Sequence, residues 1–353
     1  MNLTDDKLKN VFQDKKILVT GGTGSVGAVI VQRLLKYNPK VIRVFCNDEN
    51  AIFQLKEKLK HKRNLRYLLG DIRDKERLTR AMEDIEIIYH AAALKHVPLC
   101  EYNPFEAVKT NVLGTQNLID GALLTGVKKV INISTDKAVN PVNTMGATKL
   151  LAEKLITDAN NYRGLKDITF SSVRFGNVLY SRGSVVEIFE RNIKEGKPIN
   201  ITDPKMTRFM MSLPDATDLI FQATIMAKGF EIFILKMPIV RTGDLADAVI
   251  DDYTQRYKID KKTVKKEIIG ARLGEKMFEE LMTEIEAEKA FETEKMFIVF
   301  PKVEDLENLK ANRLGFENAK KCQRTKYNSY DSDYLSIAEI KKLLKRARKS
   351  YKE

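Results

Sequence analysis

Short apolar runs alternate with amphipathic stretches through the first half of the chain. Residues 15–20, 41–45, 65–69, 85–89, 130–133 and 169–174 are rich in branched and aromatic side chains, the pattern of strands buried on both faces. Between them apolar positions recur at helical spacing, as in the stretch that runs to Leu35 and the one entered at Ala147. Strand and helix in alternation predict an α/β fold, a Rossmann-like doubly wound parallel sheet. Past Arg174 the pattern breaks up. A strand over 231–237 is expected to return to the sheet, and the remainder to form a smaller C-terminal substrate-binding cap. The expected division is thus 1–175 plus 231–237 for the sheet domain, and 176–230 with 238–353 for the cap and a C-terminal helical region.

The first strand runs into Gly21-Gly-Thr-Gly-Ser-Val-Gly27 and then a helix. Glycines at this spacing suit a tight turn, close backbone approach to a pyrophosphate, and close packing of helix on strand. With strand before and helix after, the loop reads as a dinucleotide site made by Gly21, Thr23, Gly24, Ser25, Val26 and Gly27. The second strand ends at Cys46-Asn-Asp-Glu, so Asn47 and Asp48 stand where a ribose is held, and they leave NAD and NADP both open. Asp71 and Ile72, after the third strand, are candidates for the adenine. The fourth delivers His90-Ala-Ala-Ala-Leu-Lys-His-Val-Pro98, in which Ala91 and Ala92 let backbone approach a cofactor while Lys95 and His96 are candidates for substrate contact. Asn111 falls in the following helix, either buried to hold a water or a lysine, or simply polar.

The stretch from Ile133 to Lys149 concentrates the chemistry. Asp136 and Lys137 are expected on the loop beyond the carboxyl end of a buried strand, where open parallel sheets gather ligands. With Met145 in the first turn of the next helix, Lys149 shares its face four residues on. An acid, two amines and a hydroxyl, from Ser134 or Thr135, then converge on one crevice.

Composition narrows the class. Of 353 residues, 43% are hydrophobic and 31% charged, as in ordinary globular proteins. No apolar run reaches the length of a membrane span, and the first residues lack the parts of a secretory signal. Three cysteines, an odd number at no metal-ligand spacing, point to a reducing cytoplasm and to no metal site. The formal charge of +13 is uneven, with seven Lys/Arg against one Glu over 341–353. This tail reads as a solvated basic helix, with a polyanion or membrane-surface site as the alternative; no specific nucleic-acid module is visible.

The glycine loop, Ala91-Ala-Ala-Leu-Lys-His-Val-Pro98, Ser134-Thr-Asp-Lys-Ala-Val-Asn-Pro141, the loop from Arg174-Phe-Gly-Asn177 to Ser184, Asp203-Pro-Lys-Met-Thr-Arg208 and Gly270-Ala-Arg-Leu-Gly-Glu-Lys276 together carry a family resemblance. The chain resembles the extended short-chain dehydrogenase/reductase family, and within it the UDP-N-acetylglucosamine 4,6-dehydratases of surface-polysaccharide biosynthesis. Two positions depart from the pattern. Met145 occupies the place of the family's usual catalytic tyrosine, and a thioether cannot carry a proton; Leu273 stands where proline is usual.

The resemblance implies a recycled NAD or NADP, a UDP-N-acetylhexosamine substrate, and a homo-oligomer of two or more subunits. It implies oxidation at C4, elimination of water across C5 and C6, and hydride return to C6. Lys149 would hold the nicotinamide ribose, Asp136 protonate the departing C6 oxygen, and Lys137 take the C5 proton. Such roles require burial to shift the acid and the amine from their usual charges. With Met145 inert, Thr135, Asp136 or a water must deprotonate the C4 hydroxyl. Asn177, Ser184 and Val185 are expected near the diphosphate sugar, Arg208 and Arg272 as bidentate phosphate partners, and Thr207 and Glu275 at the uridine. Two rivals remain: a UDP-sugar 4-epimerase, which needs no leaving-group acid, and a non-catalytic dinucleotide-dependent binding protein, suggested by the missing tyrosine.

Overall fold

The computed structural model describes residues 4–60, 62–301, 316, 319–330 and 333–352. The first three residues and Glu353, which entered the readings of the leader and the basic tail, lie outside them. Strands β1 (Lys16–Thr20), β2 (Val41–Cys46), β3 (Leu65–Leu69), β4 (Ile87–His90), β5 (Lys129–Thr135), β6 (Thr169–Phe175) and β7 (Ile232–Leu235) form one parallel array. Their spatial order is β3-β2-β1-β4-β5-β6-β7, which reverses direction between β1 and β4. That reversal opens a crevice above the carboxyl ends of β1 and β4.

The crossover helices are α1 (Ser25–Leu34), α2 (Glu49–Leu59), α3 (Lys75–Met82), α4 (Gly114–Thr125) and α5 (Thr144–Tyr162). Each strand tip feeds a helix through a short loop, and local chemistry sets the start. Asp48 caps α2 by accepting from Ala51 N–H, and Asn143 caps α5 by accepting from Gly146 N–H at 2.8 Å. Asn143 starts α5 three residues ahead of the expected Ala147, which puts Met145 in its first turn. A Cβ on Gly27 would overlap the Gly21 carbonyl oxygen, so glycine here lets α1 lie against the loop that precedes it.

The sheet is wider than the sequence pattern suggests. Strands β8 (Ala290–Glu292), β9 (Met296–Val299) and β10 (Lys320–Lys321) extend it beyond β7 in antiparallel fashion, making ten strands. These residues fall in the segment assigned to the cap, so that boundary is corrected: all four residues of β9 are buried, and pairing with β7 covers an otherwise open edge. Helix α6 (Val185–Lys194) and a three-stranded sheet of Asn177–Val178, Thr207–Met211 and Ile239–Arg241 belong with the smaller lobe. By contrast α7 (Leu213–Met226), also assigned to the cap, packs Phe221 against Phe12, Tyr37 and Tyr89 in the core of the sheet domain.

The C-terminal helix α9 (Ile337–Lys352) is not a purely solvated rod. It buries Ile340, Leu344 and Ala347 in the lobe's own core beside α8 (Thr242–Tyr257). Its cations are partly spent on ion pairs, Arg348 with Asp252 and Arg346 with Asp215. No described helix is long and apolar enough to cross a membrane.

Candidate active site

Two cavities meet the tips of the parallel strands. The larger, about 380 Å³, is lined by Gly21, Thr23 and Gly24 at the tip of β1, Asn47 and Asp48 after β2, Asp71 and Ile72 after β3, and Ala91 and Ala92 after β4. Ser25, Val26 and Gly27 form the first turn of α1. The preceding Gly24 offers no side chain to cap that helix, so the first-turn N–H groups are left for an anion. Gly21 adopts φ of +61°, and a Cβ there would come within 2.7 Å of Ala92 N, which keeps the floor of the cavity bare backbone. These features fit a dinucleotide pyrophosphate.

At the far end Asp71 accepts from Asn47 at 3.1 Å and from Arg73 at 2.7 Å, and Arg73 reaches on to Glu106 at 2.9 Å. Burial pushes the Asp71 carboxyl up, but the Arg73 hydrogen bonds overcome it and hold the group below its ordinary value. Arg73 lines the cavity and did not emerge from sequence reasoning, nor did Arg182. The latter arrives from the loop after β6; its guanidinium donates to Thr23 C=O at 3.2 Å and its N–H to Ser25 Oγ at 2.8 Å, laying that loop over the glycine turn.

The smaller cavity, about 150 Å³, brings together Lys137, Asn177, Arg208, Arg272 and Glu275, five residues that the sequence placed at the substrate or the chemistry. Asn177 Oδ1 is buried without a protein partner. Arg208 donates to Thr207 C=O at 2.8 Å and lies 3.4 Å from Glu275, whose carboxylate also accepts from Arg272 N–H. Other candidates lie elsewhere. Thr207 points away from the cavity, its hydroxyl bonded to Ser329 at 2.8 Å, because successive residues of a strand face opposite sides. Lys95 donates to Arg182 C=O at 2.8 Å and His96 packs beside Gly183, so both brace the loop that overlies the glycine turn. Ser184 is the N-cap residue of α6 with its Oγ buried and unpartnered, and Val185 follows it.

At the edge of the smaller cavity, which Lys137 lines, β5 runs on to Thr135 and a tight turn carries Asp136 and Lys137. Thr135 Oγ1 donates to Asp136 Oδ1 at 2.8 Å, and Lys137 Nζ donates to the same oxygen at 3.0 Å. Asp136 is fully buried, and its Oδ2 has no protein partner; Gly176 leaves room beside it, since a Cβ there would sit 3.1 Å from that oxygen. Glu279, unremarked in the sequence, is the second carboxylate on Lys137, at 3.4 Å. Burial pulls the Lys137 ammonium down, but Asp136 and Glu279 more than offset it and its net direction is up. That is opposite to the neutralising shift expected from burial alone.

Lys149, buried on α5, donates to Ile133 C=O at 2.7 Å, and desolvation lowers its ammonium to about 8. Met145 packs against Cys100, Ala107 and Val97. Asn111 lies in a π-helical turn over Val108–Leu113; its amide holds both backbone groups of Leu94 and donates to Thr148 Oγ1 at 3.0 Å. It therefore ties the β4 loop to α5 and holds no lysine. His90, buried between Thr20 and Thr115, is pulled down to about 3 by burial and by Lys149, and stays neutral.

With this geometry in hand, the family described as polysaccharide biosynthesis protein matches residues 17–301 of the sequence. The chain belongs to that family. An uncharacterised membrane protein of Methanocaldococcus jannaschii is 52% identical, the alignment covering 96% of this chain and 97% of the relative. A UDP-N-acetylglucosamine 4,6-dehydratase (inverting) of Campylobacter jejuni is 42% identical over 92% of this chain and 94% of its own. UDP-glucose 4-epimerases of Rickettsia, such as that of R. rickettsii, reach 38% over 95% and 96%. The X-ray structure of Pen from Bacillus thuringiensis superposes with a TM-score of 0.89 at 45% identity, covering 96% of this chain and 98% of that one.

Proposed function

We propose that the protein is a nucleotide-sugar 4,6-dehydratase acting on a UDP-N-acetylhexosamine. The observation that carries the reading is the pair Asp136 and Lys137: a fully buried carboxyl group with one oxygen unpartnered, beside an amine that opens onto the smaller cavity. An elimination needs an acid for the leaving oxygen and a base for the adjacent carbon, and these are the two groups side by side. The relative of 42% identity named as such an enzyme supports the same reading.

NAD or NADP would lie in the larger cavity, its pyrophosphate at the first turn of α1 and its adenosine toward Asn47, Asp48, Asp71 and Ile72. When bound it supplies a hydride acceptor at C4 and a donor at C6, so none is consumed. Lys149 would hold the nicotinamide ribose. Arg208 and Arg272 pair with the diphosphate of the sugar nucleotide, with Asn177 beside it. Asp136 protonates the departing C6 oxygen, and Lys137 takes the proton from C5, made acidic by the neighbouring C4 carbonyl. Met145 carries no proton. The Thr135 hydroxyl, already bonded to Asp136, gives a route for the C4 hydroxyl proton.

Mass analysis of the sugar nucleotide after incubation with UDP-N-acetylglucosamine tests this reading. Loss of one water supports it. Unchanged mass with inverted C4 would instead make the protein an epimerase, the activity named for the Rickettsia relatives.

A further inference from the structure

Lys137 can remove a proton from carbon only as a free amine, yet it faces two carboxylates that favour its ammonium form. Asp136 does not relieve it, because Asp136 takes up the C4 hydroxyl proton through Thr135 and passes that proton to the C6 oxygen. The second carboxylate has no such duty. Glu279 is 3% exposed, lines the smaller cavity, and places Oε1 3.4 Å from Lys137 Nζ while its Oε2 is buried without a hydrogen-bond partner. A buried, unpartnered carboxylate oxygen is costly, and binding a proton lowers that cost by removing the charge.

We propose that Glu279 is the proton store of the site, taking the Lys137 proton when substrate binds and leaving Lys137 neutral for its attack on C5. This rests on the dehydratase reading. The step balances: the ammonium of Lys137 and the carboxylate of Glu279 become an amine and a carboxylic acid, with no change in net charge. After the amine has taken the C5 proton and hydride has returned to C6, Lys137 gives a proton back to C5 and recovers its own from Glu279, so both groups end as they began.

Binding the diphosphate drives the transfer. The charged groups facing Glu279 are Asp136 and Lys137 from the tip of β5, Arg208 from Thr207–Met211, and Lys276 from its own loop; its backbone is fixed by Ser329. Arg208 Nε lies 3.9 Å from Glu279 Oε1 and helps to keep it ionised. A phosphate that engages Arg208 draws off that cation and adds negative charge nearby, so the proton affinity of Glu279 rises. The same burial and the Asp136 charge already push the Glu279 carboxyl above its ordinary value. Glu279 is thus a positioning residue, acting on the sugar through Lys137.

The experiment compares wild type with Glu279→Gln and Glu279→Asp in two readouts. In the first, kcat and KM for UDP-N-acetylglucosamine are followed against pH. The proposal expects Glu279→Gln to lower kcat about 10²-fold near neutral pH, with KM little changed and the loss recovered as pH rises and solvent accepts the Lys137 proton. Glu279→Asp should restore part of kcat near neutral pH. In the second, the Lys137 ammonium is titrated by NMR of protein labelled at lysine side-chain nitrogen, assigned with Lys137→Arg. Glu279→Gln should move this titration to lower pH. An equal loss of kcat at every pH, or a Lys137 titration that does not move, overturns the proposal. Wild type that releases no dehydrated sugar overturns the dehydratase reading instead, and the titration still decides whether Glu279 and Lys137 share a proton.

Discussion

Replacing Arg174 with methionine should destabilise the protein by about 3–5 kcal/mol, the range for breaking a buried ion pair from one side. Arg174, at 1% exposure, uses all five N–H donors: two bonds to Glu153 at 2.6 and 3.1 Å, two to Glu286 at 3.0 Å, and one to Leu281 C=O at 2.9 Å. The side chain therefore joins β6 to α5, which carries Lys149, and to the strand Glu280–Met282 that follows Glu279. Removing it leaves the Glu153 carboxylate, also 1% exposed, charged and stripped of both of these bonds. Glu286 suffers less, because it is 21% exposed and still accepts from Thr283 N–H in a capping box. The cost accordingly falls on Glu153, and the double variant Arg174→Met/Glu153→Leu should regain most of the loss, since well-packed apolar replacements of a buried pair are close to neutral. Urea unfolding midpoints at constant slope measure both. A double variant no more stable than the single one, or a single variant within about 1 kcal/mol of wild type, would refute the reasoning.

Lys149 gives a prediction whose sign depends on pH. Its ammonium titrates near 8 when folded and near 10.5 when exposed, so below about 8 the folded state carries a desolvated charge at full cost, and between those values stability rises with pH. Lys149→Met should then raise the melting temperature of cofactor-stripped protein at neutral pH, by up to about 3 kcal/mol in stability, with the gain shrinking above pH 8, while turnover is lost; a destabilised variant at neutral pH would count against it. Asp136→Asn keeps the shape and the Thr135 and Lys137 contacts but removes the acid, so kcat for dehydration should fall about 10²- to 10⁴-fold with a much smaller change in KM. If Met145 fills space and carries no proton, Met145→Leu should cost under about 1.5 kcal/mol and move no limb of the kcat–pH profile; a displaced limb would give the thioether position a role in proton transfer.

The parts of the site that were legible in the sequence are those written at the ends of contiguous apolar runs. Gly21 to Gly27, Ala91 and Asp136 each follow directly on a buried strand, and Asp71 lies just past the edge strand β3, so the strand tip and the residue are read together. The groups that escaped notice arrive from a distance. Glu279 reaches Lys137 across the fold, and nothing in its own neighbourhood of Phe278 and Glu280 marks it as buried. Arg182 is carried over the glycine turn by the loop after β6, and Arg73 needed Glu106 in place to be seen as part of a wall. Thr207 went astray for a reason of geometry: two adjacent residues of one strand cannot both face the same cavity, and Arg208 does. The hairpin of β8 and β9 was missed because short runs in a lobe with broken periodicity do not announce which sheet they join. Charge states were the least legible of all, since the direction of the Lys137 shift depends on counting two carboxylates where the sequence showed one.

Incubation with UDP-N-acetylglucosamine in deuterium oxide, followed by proton NMR of the sugar, tests the central claim most directly. The account predicts loss of the C6 hydroxymethyl signal, a new methyl signal, and deuterium at C5, because the C5 proton leaves on Lys137 and exchanges. An intact C6 with a changed C4, or a methyl product that retains the original C5 proton, would contradict it.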